Sequence, residues 1–144
     1  MIGSYNLYRV EHEDIVNILK YVGCHGTFGL TYDEKEYENV PVKHGDTLLE
    51  KCADILKYGG RINIIDYESD KSFNTYGIPV DKLVDTEYGT GVYYVYHPTW
   101  KDFMRVLESV NCESITHNIL HDCADVDDIH QLIQYVLFGH LEFE

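Results

Sequence analysis

The sequence predicts a single α+β domain over residues 1–144, with a mixed, mainly antiparallel sheet of about four to five short strands and about three to four amphipathic helices packed on it. The length suits one domain, which would bury roughly two thirds of the surface that its unfolded chain exposes. The apolar share of 44%, with thirteen Tyr, five Phe and one Trp, is typical of a globular chain. Short β-branched and aromatic runs also alternate with segments of helical periodicity.

The first half of the chain alternates strands and helices. A strand is predicted at YNLYRV (residues 5–10), and apolar residues at helical spacing then predict a helix over about residues 12–22. Apolar and polar residues alternate in CHGTFGLTY (residues 24–32), which predicts a second strand. The polar residues 33–46 predict a loop or an exposed hairpin, and a capped amphipathic helix should follow as far as Gly59.

The second half contains the clearest strand, RINIIDY (residues 61–67), a branched run that follows two glycines. Residues 76–91 are rich in turn-forming residues, and VYYVYH (residues 92–97) predicts another strand. The remaining predicted elements are a helix that begins at Thr99, a short or broken helix over residues 111–125, a last helix over about residues 126–137, and a possible closing edge strand at residues 139–144.

Charge is the strongest global signal, because 25 Asp and Glu against 11 Lys and Arg give a formal net charge of −14. Such a surface repels phosphate backbones and anionic lipids, so we expect no direct binding to nucleic acid or membranes. Residues 106–144 contain no Lys or Arg, which indicates either a solvated face or a surface for a basic partner. The carboxylates expected to bind that partner are Asp122, Asp125, Asp127, Asp128, Glu142 and Glu144, with Asp33, Glu34, Glu36 and Glu38 as a second acidic edge.

The cysteines and the chain start favour the cytoplasm. The four cysteines show no CxxC spacing, which indicates free thiols in a reducing compartment. No apolar run approaches the roughly 18 residues that span a bilayer, and the first residues lack the pattern of a signal peptide. No cofactor is expected, because the glycines form neither a phosphate-binding loop nor a dinucleotide fingerprint. The sequence does not indicate an oligomeric state.

The pattern His-x-Thr followed by an aromatic residue occurs twice, at HGTF and HPTW. It resembles the signature of the two-histidine phosphoesterases, which cleave cyclic or 2′,5′-linked phosphodiesters. The resemblance implies that His25 and His97 serve as general base and general acid, and that Thr27 and Thr99 hold phosphate oxygens. Pro98 departs from the apolar residue usual in that family, and Thr99 is also placed to cap a helix.

The segment THNILHDCADVDDIH offers a second kind of chemistry, because His and Cys side chains are ligands that zinc prefers. Its candidate ligands are His117, His121, Cys123 and His130. The spacing matches no zinc finger or metalloprotease motif. The alternative interpretation is that Asp125 caps the last helix and that His117 and His121 lie on a solvent-exposed face.

In composition the chain resembles the acidic anti-restriction and anti-CRISPR proteins of phages and mobile elements. In such inhibitors carboxylates stand where an enzyme expects phosphates, and tyrosines act as rigid anchors. The leading hypothesis is therefore a non-enzymatic acidic protein that occupies the basic nucleic-acid-binding site of a partner, in the host cytoplasm if it is phage-borne. The alternative hypothesis is a compact two-histidine phosphoesterase.

Overall fold

The computed structural model describes residues 10–85, 91–109 and 112–143. Within these residues the chain forms one four-stranded antiparallel sheet and six helices, which confirms the α+β class. The strands are β1 (Phe28–Thr31), β2 (Asn63–Asp66), β3 (Val80–Asp85) and β4 (Gly91–Tyr96). The helices are α1 (His12–Leu19), α2 (Glu34–Glu38), α3 (Leu48–Lys57), α4 (Trp100–Leu107), α5 (Glu113–Leu120) and α6 (Val126–Phe138).

The sheet has the strand order β1-β2-β4-β3, and each neighbouring pair is antiparallel. Strand β2 is therefore central, as its run of branched residues predicted. Its register sets Asp66 opposite Phe28 at one end and Asn63 opposite Thr31 at the other. The two ends of β2 thus mark two different ends of the sheet.

The two faces of the sheet differ in what covers them. Phe28 and Tyr96 point to the helices, because their rings lie 6.0 Å and 5.9 Å from the ring of Phe138 on α6. Side chains alternate along a strand, so Asn63 and Ile65 point to the opposite face. Phe28 and Tyr96 belong to the buried core, whereas Ile65 is only half-buried and lies outside it. We call the side with Asn63 and Ile65 the open face.

The ends of the helices are encoded locally. Asp102 accepts hydrogen bonds from the backbone nitrogen and the hydroxyl of Thr99, 2.8 and 3.1 Å away, at the start of α4. The predicted cap of α6 is confirmed, because the Asp125 carboxylate accepts from the Asp128 backbone nitrogen at 2.9 Å. Gly139 ends α6 with a φ of 82°, a conformation that glycine adopts without a steric penalty.

The structure corrects the prediction for residues 33–46, because helix α2 lies inside this segment. It has only five residues and buries none of them, so it leaves no apolar periodicity in the sequence. With α2 the described residues form six helices, against the expected three to four.

The prediction for residues 76–91 is also wrong in part, because β3 runs through this turn-rich segment and pairs with β4 along six residues. As an edge strand with two aspartates and a lysine, β3 lacks the run of branched residues that marked β2. Residues 5–9 of the predicted strand at residues 5–10 lie outside the described residues, and residue 10 belongs to no strand.

The predicted closing strand at residues 139–144 does not form in its described part, residues 139–143. The buried side chain of Gln134 on α6 accepts the backbone hydrogen bonds that a neighbouring strand would otherwise accept from this segment. Its amide oxygen accepts from the backbone nitrogens of Glu142 and Phe143, each 2.7 Å away. Among the residues that the structure describes, no helix is long and apolar enough to cross a bilayer.

Candidate functional site: an acidic groove

A groove with a volume of about 260 Å³ lies between α1 and the turn that joins α5 to α6. Its carboxylates come from two distant parts of the sequence: Glu13 and Asp14 in the first turn of α1, and Asp122 in the α5–α6 turn. Lys20 is the one basic residue in its lining. Three acids against one base leave the groove negatively charged.

The floor of the groove is apolar, formed by Ile18 of α1, Ile119 and Leu120 of α5, and Ile129 of α6. A smaller cavity of about 110 Å³ adjoins it and shares Ile18, Ile119 and Leu120 with it. Trp100 also lines that second cavity. The acidic groove therefore continues into an apolar recess, an arrangement that suits a segment with both cationic and apolar side chains.

Asp122 stands at the rim because of its backbone conformation. Its φ of 55° lies in the left-handed region, which a non-glycine residue seldom adopts and which Asp and Asn tolerate best. The chain thereby turns from α5 into α6, and the Asp122 carboxylate remains exposed beside the groove.

The other predicted C-terminal carboxylates have structural partners. Asp125 and Asp128 form the capping box of α6, and Asp128 also accepts from the Asn118 side chain at 3.1 Å. Asp127 lies 3.1 Å from the His25 Nε2 atom, and Glu142 lies 2.9 Å from that of His140. Of this group only Asp122 lines the groove, and Glu144 lies outside the described residues.

The predicted second acidic edge lies elsewhere. Asp33 precedes α2 and accepts from the Asn63 side chain at 3.3 Å, while Glu34, Glu36 and Glu38 belong to α2 itself. Helix α2 packs on α3, and α3 packs on α1, which borders the groove. The second acidic edge therefore lies apart from the groove, and none of its four carboxylates lines it.

The structure does not bring His25 and His97 together. The His25 ring lies 4.4 Å from the His130 ring of α6. Both rings lie at the Phe28 end of the sheet, on the face that the helices cover. The two ring nitrogens of His97 instead lie 2.7 Å from oxygens of Asn63 and Asp81. Because Asn63 points to the open face at the other end of β2, the two imidazoles lie on opposite faces of the sheet.

The two threonines of the His-x-Thr pattern have structural roles. Thr27 is buried and its carbonyl accepts from the Tyr67 backbone nitrogen at 3.0 Å. Thr99 precedes α4 and belongs to its capping box, as the alternative interpretation predicted. The four residues therefore do not form the phosphate site of a two-histidine phosphoesterase.

The predicted metal ligands are also dispersed. The rings of His117 and His121 lie 4.3 Å apart, and both residues are exposed. The thiol of Cys123 lies 3.6 Å from the Asn118 side-chain oxygen, and His130 packs against His25. Within the described residues, the only group of three or more side chains with metal-ligand geometry is a different one: His12, His44 and Asp54.

Sequence reasoning missed Glu13 and Asp14 as site residues because both have an ordinary explanation, the helix dipole at the start of α1. Asp14 does stabilise the start of α1, since its carboxylate accepts a hydrogen bond from the Glu11 backbone nitrogen at 2.9 Å. The fold alone places these carboxylates opposite Asp122. No local spacing predicts a pairing across more than a hundred residues.

Comparison with known proteins adds no identification: no family model matches the chain, and neither the curated proteins nor the solved structures gave a significant match. The fold class alone does not determine function, because one fold hosts many unrelated activities. The function of this chain must therefore follow from the residues of the site itself.

Proposed function

We propose that the chain is a non-enzymatic binding protein that occupies the basic nucleic-acid-binding site of a partner protein, as anti-restriction and anti-CRISPR inhibitors of phages and mobile elements do. The observation that carries the proposal is the acidic groove, in which Glu13, Asp14 and Asp122 surround an apolar floor. Lys and Arg have apolar stems and charged ends, so their side chains match both parts of this lining.

The charge of the whole chain supports the same partner. A net charge of −14 attracts a basic surface from a distance, which raises the rate of association and makes it sensitive to salt. The same charge repels nucleic acid, so the protein and DNA would compete for the partner's cations and would not bind one another. The host cytoplasm is where we place this competition.

The acidic groove is a better candidate for the surface that contacts the basic partner than helix α2 is, although both are acidic. A volume of about 260 Å³ is slightly below the usual size of small-molecule sites, and it suits one or two side chains of a protein segment. Apolar floor residues such as Ile119 can exclude water around a buried cation–carboxylate pair, which strengthens the pair. Helix α2 buries none of its own residues, and the groove of about 220 Å³ beside it is lined by a single carboxylate, Glu36.

The test is a competition assay with purified DNA-binding enzymes: a restriction endonuclease, a CRISPR effector and a recombinase, each on labelled duplex DNA. The Glu13→Gln/Asp122→Asn variant removes two groove charges, and Asn suits the left-handed conformation at position 122. Glu34→Gln/Glu38→Gln removes two charges from α2 and is the matched control.

We expect the wild-type protein to displace DNA from at least one enzyme and to lose this ability as salt rises. The groove variant should require about tenfold more protein, which corresponds to roughly 1.4 kcal/mol from two charge contacts. The α2 variant should match the wild type. Equal loss in both variants would contradict the groove as the contact, and inhibition of no enzyme would contradict the inhibitory role.

A further inference from the structure

We propose that His12, His44 and Asp54 form a binding site for Zn²⁺ or a related divalent first-row metal ion. The Asp54 Oδ1 atom lies 3.1 Å from His12 Nε2 and 2.6 Å from His44 Nδ1. The three donor atoms all lie within 4.8 Å of one another. Two imidazole nitrogens and one carboxylate oxygen are a ligand set that zinc uses in catalytic sites.

The site is held by three separate segments that pack together. His12 is the first residue of α1, Asp54 lies on α3, and His44 precedes α3 in the chain. The two imidazole rings stack, with centroids 4.5 Å apart and planes 25° apart. The ligands therefore converge through the packing of α1 on α3 and not through a local sequence motif.

Asp54 is the most informative of the three, because its side chain is 0% exposed in an otherwise apolar stripe of α3. A buried carboxylate is costly unless it is paired. The backbone nitrogen of His44 donates to its Oδ2 atom at 2.8 Å, which fixes the carboxylate plane and directs Oδ1 to the two rings. Metal-binding carboxylates commonly accept such an additional hydrogen bond, which holds them in place.

The spacing suits a small ion after a short adjustment. Zinc bonds of about 2.0–2.2 Å in tetrahedral geometry place neighbouring ligand atoms about 3.3 Å apart. His12 and Asp54 already meet that spacing at 3.1 Å, and the His44 ring would move outward by less than about 1 Å from its 2.6 Å contact. The His44 side chain is 42% exposed, so it has room to move and water can reach the remaining position.

Metal binding requires one particular tautomer of each histidine. Metal binding needs a lone pair at His12 Nε2 and at His44 Nδ1, so each neutral ring would carry its proton on the other nitrogen while Asp54 stays ionised. His12 Nε2 also lies 3.1 Å from the Glu50 carbonyl oxygen, a contact that the ion would replace. Imidazole ligands favour zinc, cobalt, nickel or copper over Mg²⁺ and Ca²⁺.

The site is independent of the proposed inhibitory function, because none of its three residues lines the acidic groove. The experiment uses the full chain stripped with a chelator, titrated with Zn²⁺ by calorimetry and with Co²⁺ by visible absorption. Mg²⁺ serves as the comparison ion. The variants are His12→Ala and His44→Ala, with His117→Ala/His121→Ala as the control that removes two other neighbouring histidines.

We expect one Zn²⁺ per chain, the absorption bands of tetrahedral Co²⁺, and no binding of Mg²⁺. Loss of either ligand should weaken Zn²⁺ binding at least about tenfold, the lower end of the effect of losing even a supporting group. His44 is partly exposed, so His44→Ala should fold, and circular dichroism will verify this. Overturning results would be no stoichiometric binding, unchanged affinity in His44→Ala, or loss of binding in the His117/His121 control.

Discussion

The His25 Nε2 atom lies 3.1 Å from the Asp127 Oδ1 atom, which ties the loop before β1 to the first turn of α6 across 102 residues of sequence. The His25 ring in turn lies 4.4 Å from the ring of His130, which is buried under it. Two histidines and a carboxylate therefore meet where α6 covers the sheet. Burial of His130 couples its proton binding to the packing of that helix.

We expect the stability of the fold to decrease on acidification, in part through His130. Burial lowers the pKa of His130 from 6.5, the nearby His25 lowers it further, and Asp127 opposes the shift. The unfolded chain therefore binds this proton more readily than the folded one. The stabilising contribution of neutral His130 is fully present above the unfolded pKa of about 6.5 and is lost as the pH falls through the lowered pKa.

Urea denaturation at about pH 7.5 and about pH 5.5, on either side of the ordinary histidine pKa, measures this effect. His130→Gln should show a smaller difference between the two pH values than the wild type. An identical pH dependence in wild type and His130→Gln would rule out His130 as a contributor.

We expect two of the four cysteines to react quickly with a thiol reagent. Cys24 and Cys123 are exposed, whereas Cys52 and Cys112 are buried. Burial raises the pKa of Cys52 to about 12 and that of Cys112 to about 11, so their reactive thiolate forms are scarce near neutral pH.

Timed labelling followed by peptide mass spectrometry should find Cys24 and Cys123 modified first, and all four modified in denaturant. Rapid labelling of Cys52 in the native protein would contradict the packing of α3 on β1, where this thiol lies 3.8 Å from the Thr31 carbonyl oxygen.

We expect Asp125→Ala to destabilise the fold by about 1 kcal/mol, because it removes the side-chain acceptor that caps α6. Asp122→Asn is the comparison in the adjacent turn, and it should change the free energy of unfolding by less than about 0.5 kcal/mol, as surface substitutions usually do. Chemical denaturation measures both values. Equal stability of wild type and Asp125→Ala would show that the cap contributes nothing measurable.

The sequence predicted those elements whose pattern reflects burial. β2 has a branched run because it is central, and α3 and α6 have apolar stripes because each buries one side in the core. β3 and α2 were missed because an edge strand and a short exposed helix bury too little to impose periodicity on their residues. The helix caps at Thr99 and Asp125 could be predicted, since a capping box depends only on residues three positions apart.

The candidate site could be predicted only in part. Asp122 was identified from charge density, but its partners Glu13 and Asp14 depend on how α1 packs beside α5 and α6. The His-x-Thr pattern suggested one site, yet the antiparallel register and the alternation of side chains put its histidines on opposite faces. The one signal for the His12 and His44 cluster was Asp54, a charged residue inside an apolar helical stripe.

The most direct test of the acidic groove is an NMR titration of the ¹⁵N-labelled protein with an amphipathic peptide of alternating Arg and Leu residues. We expect the amide shifts to concentrate at the groove residues, such as Glu13, Ile119 and Asp122, and to disappear at high salt. The Glu13→Gln/Asp122→Asn variant should show weaker shifts at the same positions. Shifts centred on α2 or on the open face of the sheet, or no shifts at any salt concentration, would contradict this expectation.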